Sequence, residues 1–181
     1  VKLYHDSLTC AFNRRYYEDV VQGFEGPFGV AIMDLDDFRI YNDSCGHQAG
    51  DLALEVTAAV IRDCIRQTDT LIRYGGDEFL LILPGCPIEK IRSKLEQIRA
   101  RVQTTGVPGY PHIHLSLSIG GVLQTAEDTM ETAVHCASRL MYQAKEHKNT
   151  VIVASSSAVL SAPATLLPKQ SRQQILIADD S

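Results

Sequence analysis

Two adjacent glycines, Gly75 and Gly76, divide the apolar run Thr70-Leu71-Ile72-Arg73-Tyr74 from the apolar run Phe79-Leu80-Leu81-Ile82-Leu83. Glycine takes positive φ without steric cost, so a glycine pair between strand-like runs predicts a tight β-hairpin. A chain that alternates strands with helices but contains a hairpin calls for a mixed sheet with helices packed on it, not an all-parallel one. The hairpin tip also holds two neighbouring carboxylates, Asp77 and Glu78, where the backbone has no side-chain cover. Such a tip suits a ligand that approaches the main chain closely and brings a metal with it.

A second acidic cluster sharpens this reading. Phe28-Gly29-Val30-Ala31-Ile32-Met33 is a continuous apolar run that ends in Asp34-Leu35-Asp36-Asp37. The run reads as a strand buried on both faces. Carboxylates at the end of such a strand are costly unless they bind a metal or are well hydrogen-bonded. Hard oxygen ligands suit Mg²⁺ held jointly with substrate phosphates. Neighbouring strands lie about 4.8 Å apart, so the two clusters meet if this strand lies beside the hairpin. The plain alternative is two unrelated acidic turns.

Further motifs follow in order. Asp6-Ser7-Leu8-Thr9 precedes Asn13-Arg14-Arg15, and the first acidic loop continues through Phe38-Arg39 to Asn42-Asp43. Gly46-His47, Gly50-Asp51, Ser116-Leu117-Ser118-Ile119-Gly120 and Met141-Tyr142-Gln143-Ala144-Lys145 complete the series. With Gly75-Gly76-Asp77-Glu78-Phe79, this ordered set resembles the GGDEF domain, the catalytic module of diguanylate cyclases, over roughly residues 3 to 154. The resemblance implies an α/β (α+β) fold with a central mixed sheet of about five strands flanked by helices, similar to the palm of nucleotide polymerases and cyclases.

The 181 residues are enough for one domain with a proper core, and the 45% hydrophobic and 22% charged fractions are ordinary for a globular chain. The net charge of −5 argues against a general nucleic-acid surface. No apolar stretch approaches the ~20 residues of a membrane span, and there is no signal-peptide pattern, so a cytoplasmic location is expected. Any membrane tether would lie outside this chain. Cys10, Cys45, Cys64, Cys86 and Cys136 are scattered without C-x-x-C spacing and read as buried or semi-exposed free thiols. His112 and His114 would share a strand face, but no Cys or further His stands near them in sequence, which speaks against a metal site there.

Periodicity predicts helices over Phe12–Gln22, Gly50–Arg66, Pro87–Gln103 and Glu127–His147. It predicts strands at the two buried runs, over His114–Leu123 and over Thr150–Val153, with a turn-rich break at Gly106–Pro111. The domain is expected over residues 1–154. Residues 155–172, rich in Ala, Ser and Pro, read as a linker. Residues 173–181 contain Gln174-Ile175-Leu176-Ile177-Ala178-Asp179-Asp180-Ser181, which resembles the first strand of a response-regulator receiver domain and hence a two-component system. A disordered end that happens to be apolar is the alternative.

The resemblance implies condensation of two GTP into cyclic di-GMP with loss of two pyrophosphates, with Mg²⁺ (or Mn²⁺) as cofactor and a homodimer needed for catalysis. It makes Asp34, Asp77 and the Leu35 carbonyl the metal ligands. Glu78 beside them either orients a metal or helps deprotonate the attacking hydroxyl. Asp36 and Asp37 are expected to be exposed loop acids, with third-ligand roles as the alternative. Asn42 and Asp51 would read guanine, since a carboxylate pairs with its N1 and N2 hydrogens; Asp51 near a helix start would also cap well. Phe38, Arg39, Gly75, Gly76 and Lys145 would hold the GTP phosphates and the approach to them. The family often continues with Gly-Arg-Asn after this lysine, whereas this chain has Glu146-His147-Lys148-Asn149 in a shorter turn. Lys148 would then substitute for the missing arginine, as a point charge in place of a bidentate fork. Arg66-x-x-Asp69 matches the family's product-inhibition site. The alternative function is a catalytically weak module that binds GTP or cyclic di-GMP and regulates adjacent domains.

Overall fold

The computed structural model describes residues 2–125 and 127–161. In chain order these form α1 (Arg14–Asp19), β1 (Phe28–Leu35), α2 (Phe38–Cys45), α3 (His47–Cys64), β2 (Thr70–Arg73) and β3 (Glu78–Pro84). There follow α4 (Ile88–Gln103), β4 (Gly106–Val107), β5 (Tyr110–His114), β6 (Leu117–Leu123), α5 (Met130–Ala144), β7 (Thr150–Ser155) and α6 (Ser156–Ser161).

Five strands make one mixed sheet in the order β2-β3-β1-β6-β7. β1 is central, antiparallel to β3 and β6, and only β7 runs parallel to its neighbour. Every residue of β1 is buried. Side chains alternate between two cores, as a strand covered on both faces requires. Ala31, Met33 and Leu35, with Phe79, Leu81 and Leu83, join a cluster built with α3 and α4. Val30 and Ile32, with Leu80 and Ile82, join one built with α5. By the same alternation Asp34 and Glu78 fall on the α5 face.

α5 approaches the sheet very closely at Gly120. A Cβ there would collide with the Ala137 carbonyl and the Met141 amide, so the helix backbone rests on the strand backbone. Thr129 caps the helix by accepting from the Thr132 amide. This contact fixes where the end of α5, and therefore Lys145, comes to lie.

The elements differ from the sequence expectation in several places. The first acidic loop runs directly into α2, and the expected second helix begins earlier, at His47. The expected strand over residues 114–123 is shorter, β6 beginning only at Leu117 with the chain at Ser116 turned toward β1, and the expected turn-rich break over Gly106–Pro111 holds β4 and the start of β5. Residues 155–161, expected to open a linker, end β7 and form α6, whose Ser156 and Val159 are buried. The rest of the expected linker and the receiver-like end lie outside the described residues. The cysteines are free; Cys10 and Cys45 are exposed, beyond the semi-exposure expected of them. No helix among the described residues is long and apolar enough to cross a membrane.

Candidate active site

The two acidic clusters do meet. Asp34 stands directly opposite Glu78 in the β1–β3 register, and the Leu35 amide donates to the Asp77 carbonyl at 3.2 Å. The tip is closed by the Tyr74 and Gly75 amides, which donate to the Glu78 carbonyl at 2.9 and 3.3 Å. Asp34, Asp77 and Glu78 therefore crowd one sheet end on the α5 side.

That crowding shows in their acidity. Burial pushes the Asp34 carboxyl up to about 9; the Lys145 ammonium opposes this, while Asp77 and Glu78 reinforce it. Glu78 is pushed up by burial and then by Asp77, against Arg14 and Lys145. Asp34 Oδ1 is buried and accepts no hydrogen bond. Lys145 Nζ lies 3.5 Å from it, within ion-pair reach but outside hydrogen-bond geometry. A buried acceptor without a donor costs about 1–3 kcal/mol. An orphaned carboxylate oxygen beside two more acids fits a hard divalent cation. No three His, Cys, Asp or Glu side chains among the described residues close into a metal cage by themselves.

Lys145, expected on phosphates, is turned into the acids: its ammonium donates to the Leu35 carbonyl and to Asp36 Oδ1, each at 3.2 Å. Lys148 donates to Asp37 Oδ1 at 2.7 Å. Asp37 takes a left-handed conformation (φ 61°) and turns the chain into α2. Phe38 and Arg39 then form the first turn of α2, where backbone amides have no acceptor inside the helix and suit an anion. Asp36 corrects the exposed-acid expectation. It is only 1% exposed and accepts from Ser116 Oγ, Ser118 Oγ and the Asn149 amide as well as from Lys145.

Asn42 on α2 and Asp51 on α3 flank the turn between these helices. The Asn42 carboxamide lies against Gly50, where a Cβ would overlap its oxygen, so a larger residue there would displace the amide. Asp51 is exposed and stands in the second turn of α3, whose N-cap is Gly46. It caps nothing, which removes the plain explanation for a carboxylate there.

Arg66 and Asp69 form a closed pair at the other end of β2. Arg66 Nη2 reaches Asp69 Oδ1 at 2.9 Å, Nε reaches Oδ2 at 3.3 Å, and the Arg66 amide donates to Oδ2 at 2.7 Å. The Arg66 side chain stays 55% exposed while that of Asp69 is fully covered.

Three residues at the site went unassigned in the sequence reading. Arg73 ties the hairpin to the N-terminal loop: it donates to the Gly76 carbonyl (2.8 Å from Nη2) and pairs with Asp6 at 3.2 Å. Arg14 lies over the Tyr74 ring at 4.1 Å from its centroid. The phenol of Tyr142 is pushed up by burial and by Glu78, Asp34 and Asp77. The arginine two residues before the glycine pair, and the tyrosine one helical turn before Lys145, were the available signals.

Comparison with known proteins places the chain in a family. The family model "Diguanylate cyclase, GGDEF domain" matches residues 3–150. Diguanylate cyclase DgcM of Escherichia coli K12 is 28% identical over 159 residues, covering 83% of this chain and 38% of that protein. The probable diguanylate cyclase DgcT of the same strain is 35% identical over 161 residues, covering 83% of this chain and 35% of that protein. The crystal structure of the GGDEF domain of DgcB from Caulobacter crescentus, in complex with c-di-GMP, superposes with a TM-score of 0.78 at 24% identity. It covers 87% of this chain and 98% of that one. The chain belongs to the diguanylate cyclase GGDEF domain family, and it spans little more than a third of the length of these curated relatives.

Proposed function

We propose that this chain is a diguanylate cyclase, joining two GTP into cyclic di-GMP and releasing two pyrophosphates. The observation that carries the reading is the register pairing of Asp34 with Glu78, which leaves a buried, donor-less carboxylate oxygen beside the hairpin acids. Asn42 and Asp51 select guanine, because a carboxylate meets the N1–H of guanine and repels the N1 acceptor of adenine. The Phe38 and Arg39 amides at the start of α2 take the terminal phosphates, and Lys145 and Lys148 supply nearby positive charge. Gly75 and Gly76 leave room for the ribose and phosphate beside the main chain.

Asp34, Asp77 and the Leu35 carbonyl would hold Mg²⁺ or Mn²⁺, which when bound neutralises phosphate charge and acidifies the attacking hydroxyl. Glu78, made more basic by burial and by Asp77, is suited to take the proton from the ribose 3′-hydroxyl as it attacks the α-phosphorus. Each domain offers one such surface, so the two bonds of the product require two protomers face to face. Arg66 and Asp69 would hold the product as a feedback site.

A second reading has its own support. Both phosphate-binding lysines are engaged by carboxylates of this chain, Lys145 by Asp36 and Lys148 by Asp37, which fits a weakly catalytic module that binds guanine nucleotides and acts on its neighbours. Incubation with GTP and Mg²⁺ at high protein concentration, followed by mass spectrometry, separates the two. Cyclic di-GMP from the parent and none from Asp77→Ala is the expected result. Nucleotide binding without product would replace the cyclase by the regulatory module.

A further inference from the structure

Asp36 is placed unlike the other acids of its loop. Its neighbours along the chain face a cation-seeking cluster or solvent, whereas its own carboxylate is sealed in and fully used. Oδ1 accepts from Ser118 Oγ at 2.6 Å and from Lys145 Nζ at 3.2 Å; Oδ2 accepts from Ser116 Oγ at 2.6 Å and from the Asn149 amide at 2.9 Å. Its backbone amide donates to the Ser116 carbonyl at 2.9 Å. One side chain thus joins the end of β1, the start of β6 and the turn between α5 and β7. That turn contains Lys148 and Asn149, both at positive φ.

We infer that Asp36 is a positioning residue for the nucleotide site, acting through the ammonium of Lys145. The inference rests on the proposed cyclase reading. Of the donors around Asp36, only the ammonium carries charge and only it sits on a flexible stem. The two hydroxyls and the Asn149 amide are fixed by strand ends and turn. Lys145 also lies within 3.5 Å of Asp34 Oδ1 and 3.2 Å of the Leu35 carbonyl, the groups assigned to the metal. When a metal and phosphates claim those groups, Asp36 is the remaining tether. It keeps the ammonium at the edge of the acid cluster, where a phosphate can reach it. In a chain with no arginine in the turn after α5, Lys145 and Lys148 are the cations that this turn offers to the phosphates.

Asp36→Asn isolates the tether. The amide has nearly the carboxylate's shape but one acceptor oxygen in place of two. Its NH₂ group must face either Lys145 or the Asn149 amide, neither of which can accept. The hydroxyls can rotate and the turn amide cannot move, so the ammonium is the group expelled.

Two readouts test this in the full chain, with unfolding temperature recorded for each variant. The first is the rate at which Lys145 is acetylated by an amine-reactive ester, followed by peptide mass spectrometry. In the parent Lys145 is only 23% exposed and held; in Asp36→Asn its acetylation should quicken about fivefold or more. The second is affinity for a non-reacting GTP analogue with Mg²⁺. Asp36→Asn should weaken it about tenfold, and should add less than about twofold in a Lys145→Gln background, because the two residues act as one unit. Unchanged Lys145 reactivity, or a full additional loss in that background, overturns the inference. Should Asp36→Asn not fold, Ser116→Ala/Ser118→Ala removes the two hydroxyl donors and keeps the tether. Analogue affinity within about twofold of the parent then supports the inference, and a tenfold loss overturns it. A parent that binds no analogue overturns the cyclase reading and the nucleotide role with it, while Lys145 acetylation still decides whether the tether exists.

Discussion

The two ends of β2 and β3 carry the same kinds of residue in opposite electrostatic states. At one end Asp69 is fully covered and accepts from the Arg66 fork and the Arg66 amide, so its charge is answered within the chain. At the other end Asp34 is nearly as buried, yet one of its oxygens has no donor, and Asp77 and Glu78 add like charge. Burying an unanswered charge is costly, and burying a paired one is less so. The first arrangement can persist as it stands and present its exposed Arg face to a ligand. The second is incomplete, and a divalent cation with phosphates would complete it. The same contrast recurs along β1 itself: Asp34 is left short of donors, and Asp36, two residues on, is fully supplied.

The contrast can be broken most sharply at the hairpin. Asp77→Ala removes an acid from the incomplete end, and cyclic di-GMP formation should fall by about 100-fold or more, while the unfolding temperature holds or rises. A variant retaining near-parental activity would remove Asp77 from the metal site. The opposite end gives a several-fold effect visible only at high product concentration. Arg66→Ala should let the progress curve run on where the parent's flattens, with the initial rate unchanged. Identical curves would assign Arg66 and Asp69 to structure alone.

Smaller effects sharpen the comparison. A carboxyl raised from 3.8 to about 9 on folding favours the folded state while protonated. That contribution is fully present below about pH 4 and is lost as pH rises toward 9. Asp34→Asn mimics the neutral form, so in chelator at pH 8 it should raise the unfolding temperature by a few degrees, and the gain should shrink toward pH 5. A fall at pH 8 would mean the carboxylate is already satisfied. The least effect is expected at Lys148, whose ion pair with Asp37 is more than half exposed on the lysine side. Lys148→Ala should change the KM for GTP by less than about threefold, as exposed pairs contribute little. A tenfold rise would show that Lys148 leaves Asp37 and takes the place of the missing arginine.

The hairpin, the buried central strand and the acid clusters were legible from local chemistry. Gly75-Gly76 between apolar runs can hardly be read otherwise, and β1 is buried on both faces as its unbroken apolar run requires. Helix α2 was not legible, because Phe38–Cys45 is short and contributes no fully buried residue; its start depends on the left-handed turn at Asp37. The break before β6 was hidden for a similar reason. Ser116 and Leu117 continue an alternating pattern, and the chain leaves it where Ser116 bonds to Asp36 through its hydroxyl and carbonyl.

Sequence alone determined which residues carry charge, which runs must be buried, and where glycine permits a tight turn, because these follow from side-chain chemistry and local backbone sterics. The resemblance set Asp34 apart as a metal ligand, but nothing local showed that Asp36 is buried and fully hydrogen-bonded rather than an exposed loop acid. Their difference is a matter of which donors reach each carboxylate, and those donors come from residues 116, 118, 145 and 149, far along the chain. Only the tertiary structure brings β6 and the end of α5 to the tip of β1, through the backbone contact at Gly120. That packing leaves one acid unanswered and the other complete.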